Sequence, residues 1–356
     1  LKPTLLVRFP LALACVLAAL AFGCHRTPQK NQILAAVARE VALPIHRGLD
    51  AESRNLHAAV TAFADAPSVP TLTAARVTWR KTAVAWRRAY AFREGPLVET
   101  SALLRAAYWP SNPKHHQAML ADTAPITADR IQEAGVEAKG LYVIEALLFE
   151  GGEPAAAVPA LWQGESGARR VQLLRVLAAD VQSYGAAIAG RLETGGDAFV
   201  NKYAEAGQGS LNRLVNQLIE SIEGVAVNRL QLVIGLADSH LLKSSEVEGW
   251  PSGSSHLLAL APIEVSQQLY LGGPSGGISA LVRNASPEQD ERVRAAFALA
   301  VAKIEALGGP LEQVVTSKRP ALEEAAAVTR NLEITIKTEL ANALGIALTF
   351  VGGDGD

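Results

Sequence analysis

The chain has 356 residues, 49% of them apolar and only 5% aromatic, with a formal net charge of −2. It is long enough for two domains with substantial cores. It lacks the basic stripe expected of a nucleic-acid binder, and its two cysteines leave no room for a disulfide-stapled scaffold. Ala and Leu dominate and two-residue alternation is nearly absent, which predicts an all-α protein.

In chain order, LKPTLLVRFPLALACVLAALAFGC comes first. Lys2 and Arg8 precede an apolar run of secretory-signal length that closes on small residues before Cys24. The AFGC ending resembles a bacterial lipobox, so 1–23 reads as a signal peptide and Cys24 as the lipidated first residue of the mature chain. Cys15 would leave with the signal, and 24–31 reads as a tether. Acyl chains would hold the protein on a membrane. His25 in the next position points to the periplasmic side of the outer membrane.

Helical periodicity starts near Asn31 and is expected to break at Pro44, with a second helix to about Ala64. In TLTAARVTWRKTAVAWRRAYAFREGP, Trp79, Thr82, Trp86 and Tyr90 share one face, and Gly95-Pro96 stops the helix. YWPSNPKHH reads as a loop. Thr127 opens a helix expected to reach Phe149, and the Gly/Pro-rich stretch after Gly151-Gly152 is the expected domain boundary. Helices are then expected over about 167–192, 210–237, 256–271, 287–307 and 320–344, with Gly345 as a left-handed stop. HLLKSSEVEGWPSGSS is a polar loop between the second and third of these. The domains are thus 32–160 and 161–356. AYAFREGP and QQLYLGGP, each an aromatic before Gly-Pro at a helix end, suggest two bundles related by duplication.

AKGLYVIEALLFE, residues 138–150, carries the chemistry. Tyr142 and Glu145 are three apart and share a helix face. The apolar residues around them predict burial, and a buried lone carboxylate must be paired, protonated or metal-bound. Gly140 implies that a backbone or a ligand approaches closely. A plain ion pair between Glu145 and Arg87, Arg88 or Arg93 is the alternative. His115 and His116 are adjacent and read as surface histidines. His240 and His256 flank the polar loop and stay open as a pair.

Several segments together resemble the imelysin-like family, also filed as peptidase family M75. AKGLYVIE is similar to its G-x-H-x-x-E signature, with Gly140, Tyr142 and Glu145 in the three places and Tyr where the family has His. AWRRAYAFREGP, YWPSNP, EVEGWPSGSS and the C-terminal TELANALGIALTFVGGDGD resemble further family segments, in order along nearly the whole mature chain. The resemblance implies two helical bundles with the signature helix facing a cleft between them, and a link to iron uptake in the bacterial envelope. It also implies a ligand-binding set of Gly140, Tyr142, Glu145, Glu94, Glu248, Ser252 and Ser255. A zinc peptidase needs paired imidazoles and an activating Glu, and Tyr142 removes one of them. Three readings stay open: an accessory protein that binds an envelope ligand, a metallopeptidase, and a scaffold with a decayed site. The first includes iron or another divalent or trivalent metal on Tyr142 and Glu145, with Glu94 as a further oxygen ligand. The expected partners are the membrane, through Cys24, and envelope iron-uptake components.

Overall fold

The computed structural model describes residues 29–349; the signal segment, Cys24 and most of the tether lie outside them. Among the described residues the regular structure is all helix, with a lone bridge between Gly273 and Gly276. The Ala/Leu bias therefore has its expected outcome. No described helix is long and apolar enough to cross a membrane.

The chain enters through α1 (Lys30–Val37), widens into a π-helical turn (Ala38–Ala42) and continues as α2 (Leu43–Asp65). Pro44 does not break the rod as expected. It has no N–H to give, and the widened turn just before it absorbs the missing helical bond. Ser68 and Thr71 form a reciprocal capping box that starts α3 (Val69–Tyr90). Trp79, Thr82 and Trp86 are buried on one face of α3, but Tyr90 at its end is 40% exposed.

Short helices cross 96–133, and the expected long helix from Thr127 is in fact broken. It ends at Glu133, passes a 3-10 turn (Val136–Ala138) and restarts as α4 (Leu141–Phe149). Gly140 causes the restart: its φ of +81° lies outside the helical region. After a short helix (Pro154–Leu161) comes α5 (Gly164–Glu205), 42 residues that continue through Gly195-Gly196 and pack along α1 and α2. By its contacts α5 completes the first group of helices. The positive-φ turn at Gly207 then leads into the helices that follow.

The second group contains α6 (Gln208–Val225), which continues through a π-helical turn (Ala226–Gln231) into α7 (Leu232–Asp238). After the polar loop come α8 (Ser255–Leu271), α9 (Pro287–Glu305) and α10 (Arg319–Thr335). Gly345 takes the expected left-handed stop, at φ 61° and ψ 45°.

The seam between the groups is mainly α3 against α8, and buried apolar residues of both groups make one contiguous core. Arginines on and just after α3 reach across it. Arg80 donates to the Ser252 carbonyl, Arg87 pairs with Glu248, Arg88 with Glu264 and Arg93 with Glu220. Arg80 and Arg87 hold the 239–254 loop over α4 and so position the site, while Arg88 and Arg93 tie α3 to α8 and α6.

Candidate functional site

α4 is pinned at both ends. At its start, a Cβ on Gly140 would lie 2.6 Å from the Ala106 carbonyl oxygen, so no larger residue could keep this close backbone approach. The Trp79 indole donates to the Leu141 carbonyl at 2.8 Å. At the far end Arg76 donates to the Leu148 carbonyl, one that the helix leaves open, and to the Gly152 carbonyl in the following turn, both at 2.7 Å. The face bearing Tyr142 and Glu145 therefore has a fixed orientation.

Glu248 is buried opposite Tyr142 and receives three donor groups. Arg87 Nε donates at 2.5 Å, Arg229 donates through Nε and Nη2 at 3.1 and 2.8 Å, and the Tyr142 hydroxyl donates to Oε1. Burial alone would raise the Glu248 carboxyl, but the two guanidiniums outweigh it and hold it below the usual carboxylate range. Arg87 also donates to the Tyr142 oxygen at 3.0 Å. Burial still pushes the Tyr142 hydroxyl well above its ordinary value, with the Arg87 charge opposing.

Glu145 has a different environment. It is 3% exposed, and its donor among the described residues is the Ser252 N–H, at 3.3 Å from Oε1. The expected guanidinium partners are engaged elsewhere: Arg87 with Glu248, Arg88 with Glu264 and Gln268, Arg93 with Glu220. Burial raises the Glu145 carboxyl to about 8, with Ser252 and the Arg80 charge only partly offsetting it and Glu248 adding to it. At neutral pH it is mostly protonated.

Glu145 and Tyr142 line a cavity of about 820 Å³, closed on one side by the polar loop. Its other walls include Trp109, Trp250, Phe149, His116, Gln117 and Glu150. This volume suits a small ligand. Another hollow of about 600 Å³ opens beside α2 and Gly272-Gly273, and two of its charged groups are engaged. There Glu40 accepts from Ser275, and Arg88 holds Glu264 and Gln268.

The remaining expected residues divide as follows. Gly140 acts through its backbone, and Ser252 through its N–H, its hydroxyl being bonded to the Gly249 carbonyl at 3.0 Å. Ser255 faces away from the cavity, accepting from Leu311 N and donating to Glu312. Glu94 lies outside the cluster, on Arg213 Nε at 2.8 Å and Gln217 at 3.4 Å, beside a separate hollow. His115 is exposed as expected. His116, expected at the surface, is buried at 4% exposure with Nδ1 lacking a partner, and it lines the cavity. Residues 113–121 form a helix here, and neighbouring positions diverge by about 100°, so one histidine faces out and the other in. Trp109 and Trp250 were also missed as wall residues. Their signal was present: Trp109-Pro110-Ser111 and Trp250-Pro251-Ser252 are the same tripeptide, one from each half.

The donor set does not suit a metal ion. Tyr142 is held as a neutral hydroxyl that donates to Glu248, with Arg87 against its oxygen, whereas a ferric site needs the phenolate. Glu94 is elsewhere. Among the described residues no three His, Cys, Asp or Glu side chains gather closely enough to hold an ion, and this includes His240 and His256.

Two solved structures share the fold. An iron-regulated protein A precursor from Parabacteroides distasonis superposes with a TM-score of 0.71 at 18% identity, covering 89% of this chain and 97% of that one. An imelysin-like protein from Psychrobacter arcticum gives 0.73 at 18% identity, covering 90% and 97%. No curated protein matches significantly. The family model described as imelysin, peptidase M75, matches residues 42–335, a span that holds α4, the polar loop and the arginines joining them. With most of its length matched, and with the signature helix set against the loop, the chain belongs to the imelysin family.

Proposed function

We propose that this chain is a ligand-binding accessory protein of the bacterial cell envelope, anchored through lipid on Cys24 at the periplasmic side of the outer membrane. In this reading a small molecule enters the cavity between the two helical groups, where Glu145 and His116 offer it polar contacts. One observation carries the proposal: a buried carboxyl whose hydrogen-bond donor is Ser252 opens on an aromatic-walled cavity instead of closing on a guanidinium. The link to iron uptake and to envelope uptake components draws on family membership and on the iron-regulated description of the Parabacteroides protein. Binding is favoured over peptide hydrolysis because the Tyr142 set supplies neither the paired imidazoles nor a base beside them.

A cavity-filling variant tests the reading. Ala146 lines the cavity at a half-buried position, so Ala146→Trp should occupy it without entering the core. A thermal-shift screen of chemically diverse small molecules should give hits that stabilise the natural protein by about 5 °C at about a hundredfold excess over Kd. These hits should lose their effect on Ala146→Trp while its own transition stays cooperative. Equal shifts in both proteins would remove the cavity as the site.

A further inference from the structure

Resting on the binding reading of this cavity, we propose that its ligands are small organic cations: a protonated amine carried on an apolar or aromatic body. The charge of the walls favours this class. Among the described residues Glu145 and Glu150 are the acidic ones lining the cavity, and no Lys or Arg lines it. Burial holds His116 below its ordinary range, so it adds no positive charge near neutral pH.

Nearby cations have other partners. Arg87 and Arg229 close on Glu248 behind Tyr142, Arg80 donates to the Ser252 carbonyl, and Arg170 pairs with Glu150. An anionic ligand would therefore meet the Glu145 carboxyl and a Glu150 already paired with Arg170, with no Lys or Arg among the described wall residues to receive it. The aromatic walls fit the same class. Phe149 already carries the Arg76 and Arg80 guanidiniums, 5.1 and 4.9 Å from its ring centre. Trp109 and Trp250 carry no such cation, and indole faces attract organic cations best. His116 Nδ1, buried and without a partner, can accept an ammonium N–H when the ring proton is on Nε2.

Binding of such a cation has a definite proton balance. The Glu145 carboxyl enters mostly protonated, forms an ion pair with the incoming ammonium and releases its proton to solvent. Other titratable groups facing it move little in this range: Glu248 is held ionised by its two arginines, and Tyr142 is held protonated by burial.

Calorimetry on the full chain with 2-phenylethylamine, 2-phenylethanol and 3-phenylpropanoate separates the possibilities, since the three share one body and differ in charge. The amine should bind about tenfold or more tighter than the alcohol at about pH 8, and the acid should bind weakest. Amine affinity should rise several-fold or more from about pH 6 to about pH 8, with proton release seen as a dependence on buffer ionisation enthalpy. Glu145→Gln should bring the amine down to the alcohol's affinity and flatten the pH profile. Trp250→Leu, at a partly exposed rim position, should weaken the amine more than the alcohol.

Equal binding of amine and alcohol, or a pH-flat amine affinity untouched by Glu145→Gln, overturns the cation class. If that binding is still lost in Ala146→Trp, the cavity survives as a binding site. No binding by either probe also overturns the cation class, and the library screen then decides the wider reading by itself.

Discussion

Asp290 in the second half and Glu145 in the first are both 3% exposed, yet their surroundings are opposite. Asp290 receives the Tyr270 hydroxyl at 2.8 Å, the Ser279 hydroxyl at 2.5 Å, Arg283 Nε at 2.9 Å and Arg294 Nε at 2.8 Å. Glu145 receives one N–H at 3.3 Å and faces a cavity. Equal burial thus describes a closed structural knot in one place and an open site in the other. The count and quality of donors separates them, because an unsatisfied buried carboxyl persists only where something else is gained.

The largest effect that could break this contrast is on Asp290. Asp290→Ala would leave two hydroxyls and two guanidiniums without their shared acceptor, at a cost of about 3–4 kcal/mol, near the lower end for a broken buried pair. The discount reflects Arg283 and Arg294, which are 53% and 42% exposed and can turn to water. Urea unfolding should show a lower midpoint with an unchanged slope. A loss under about 1 kcal/mol would mean that the cluster does not stabilise the second half as a closed knot should.

Glu145→Gln should act in the opposite direction, and its size should depend on pH. The folded carboxyl titrates near 8, above its unfolded value, so the native state binds more protons between the two. Its favourable contribution is complete below the unfolded value, near 4.5, and is lost as pH rises toward about 8. Gln matches the protonated form and cannot ionise. The variant and the natural protein should therefore be nearly equal in stability at about pH 4, and the variant should be more stable by about 4 kcal/mol at about pH 8. Paired unfolding curves across that range check the sign. A variant less stable at every pH would mean that Glu145 is ionised and well partnered, as Asp290 is by its donors.

Much of this contrast can be read in the sequence, within limits that have physical causes. The Trp79 and Trp86 face, the stop at Gly345 and the burial of Glu145 follow from local periodicity and backbone preference. Gly140 also signals correctly that a backbone comes close, although it opens α4 instead of lying inside a helix. The continuous helix from Thr127 and the break at Pro44 were misread because each depends on how a turn is accommodated, which residue spacing does not encode. The partner of Tyr142 was equally hidden. Its hydroxyl goes to Glu248, 106 positions away, only because α3 arginines hold the polar loop in place. His116 is buried by a long-range arrangement too, since a polar helix next to a proline loop has no periodicity that marks which side a distant loop will cover.

Glu94 gives the smallest effect and the finest test of the contrast. Sequence similarity grouped it with Tyr142 and Glu145, but the fold gives it Arg213, half-exposed, and the Gln217 amide. An ion pair of this kind contributes at most about 1 kcal/mol, because water competes for the guanidinium and salt screens the pair. Glu94→Gln should therefore shift the urea midpoint slightly, and less so at high salt. It should also leave 2-phenylethylamine affinity and its pH profile unchanged, since Glu94 does not line that cavity. A change in either readout would tie Glu94 to the site through the seam. Donor count alone would then no longer suffice to tell a structural carboxylate from a binding one.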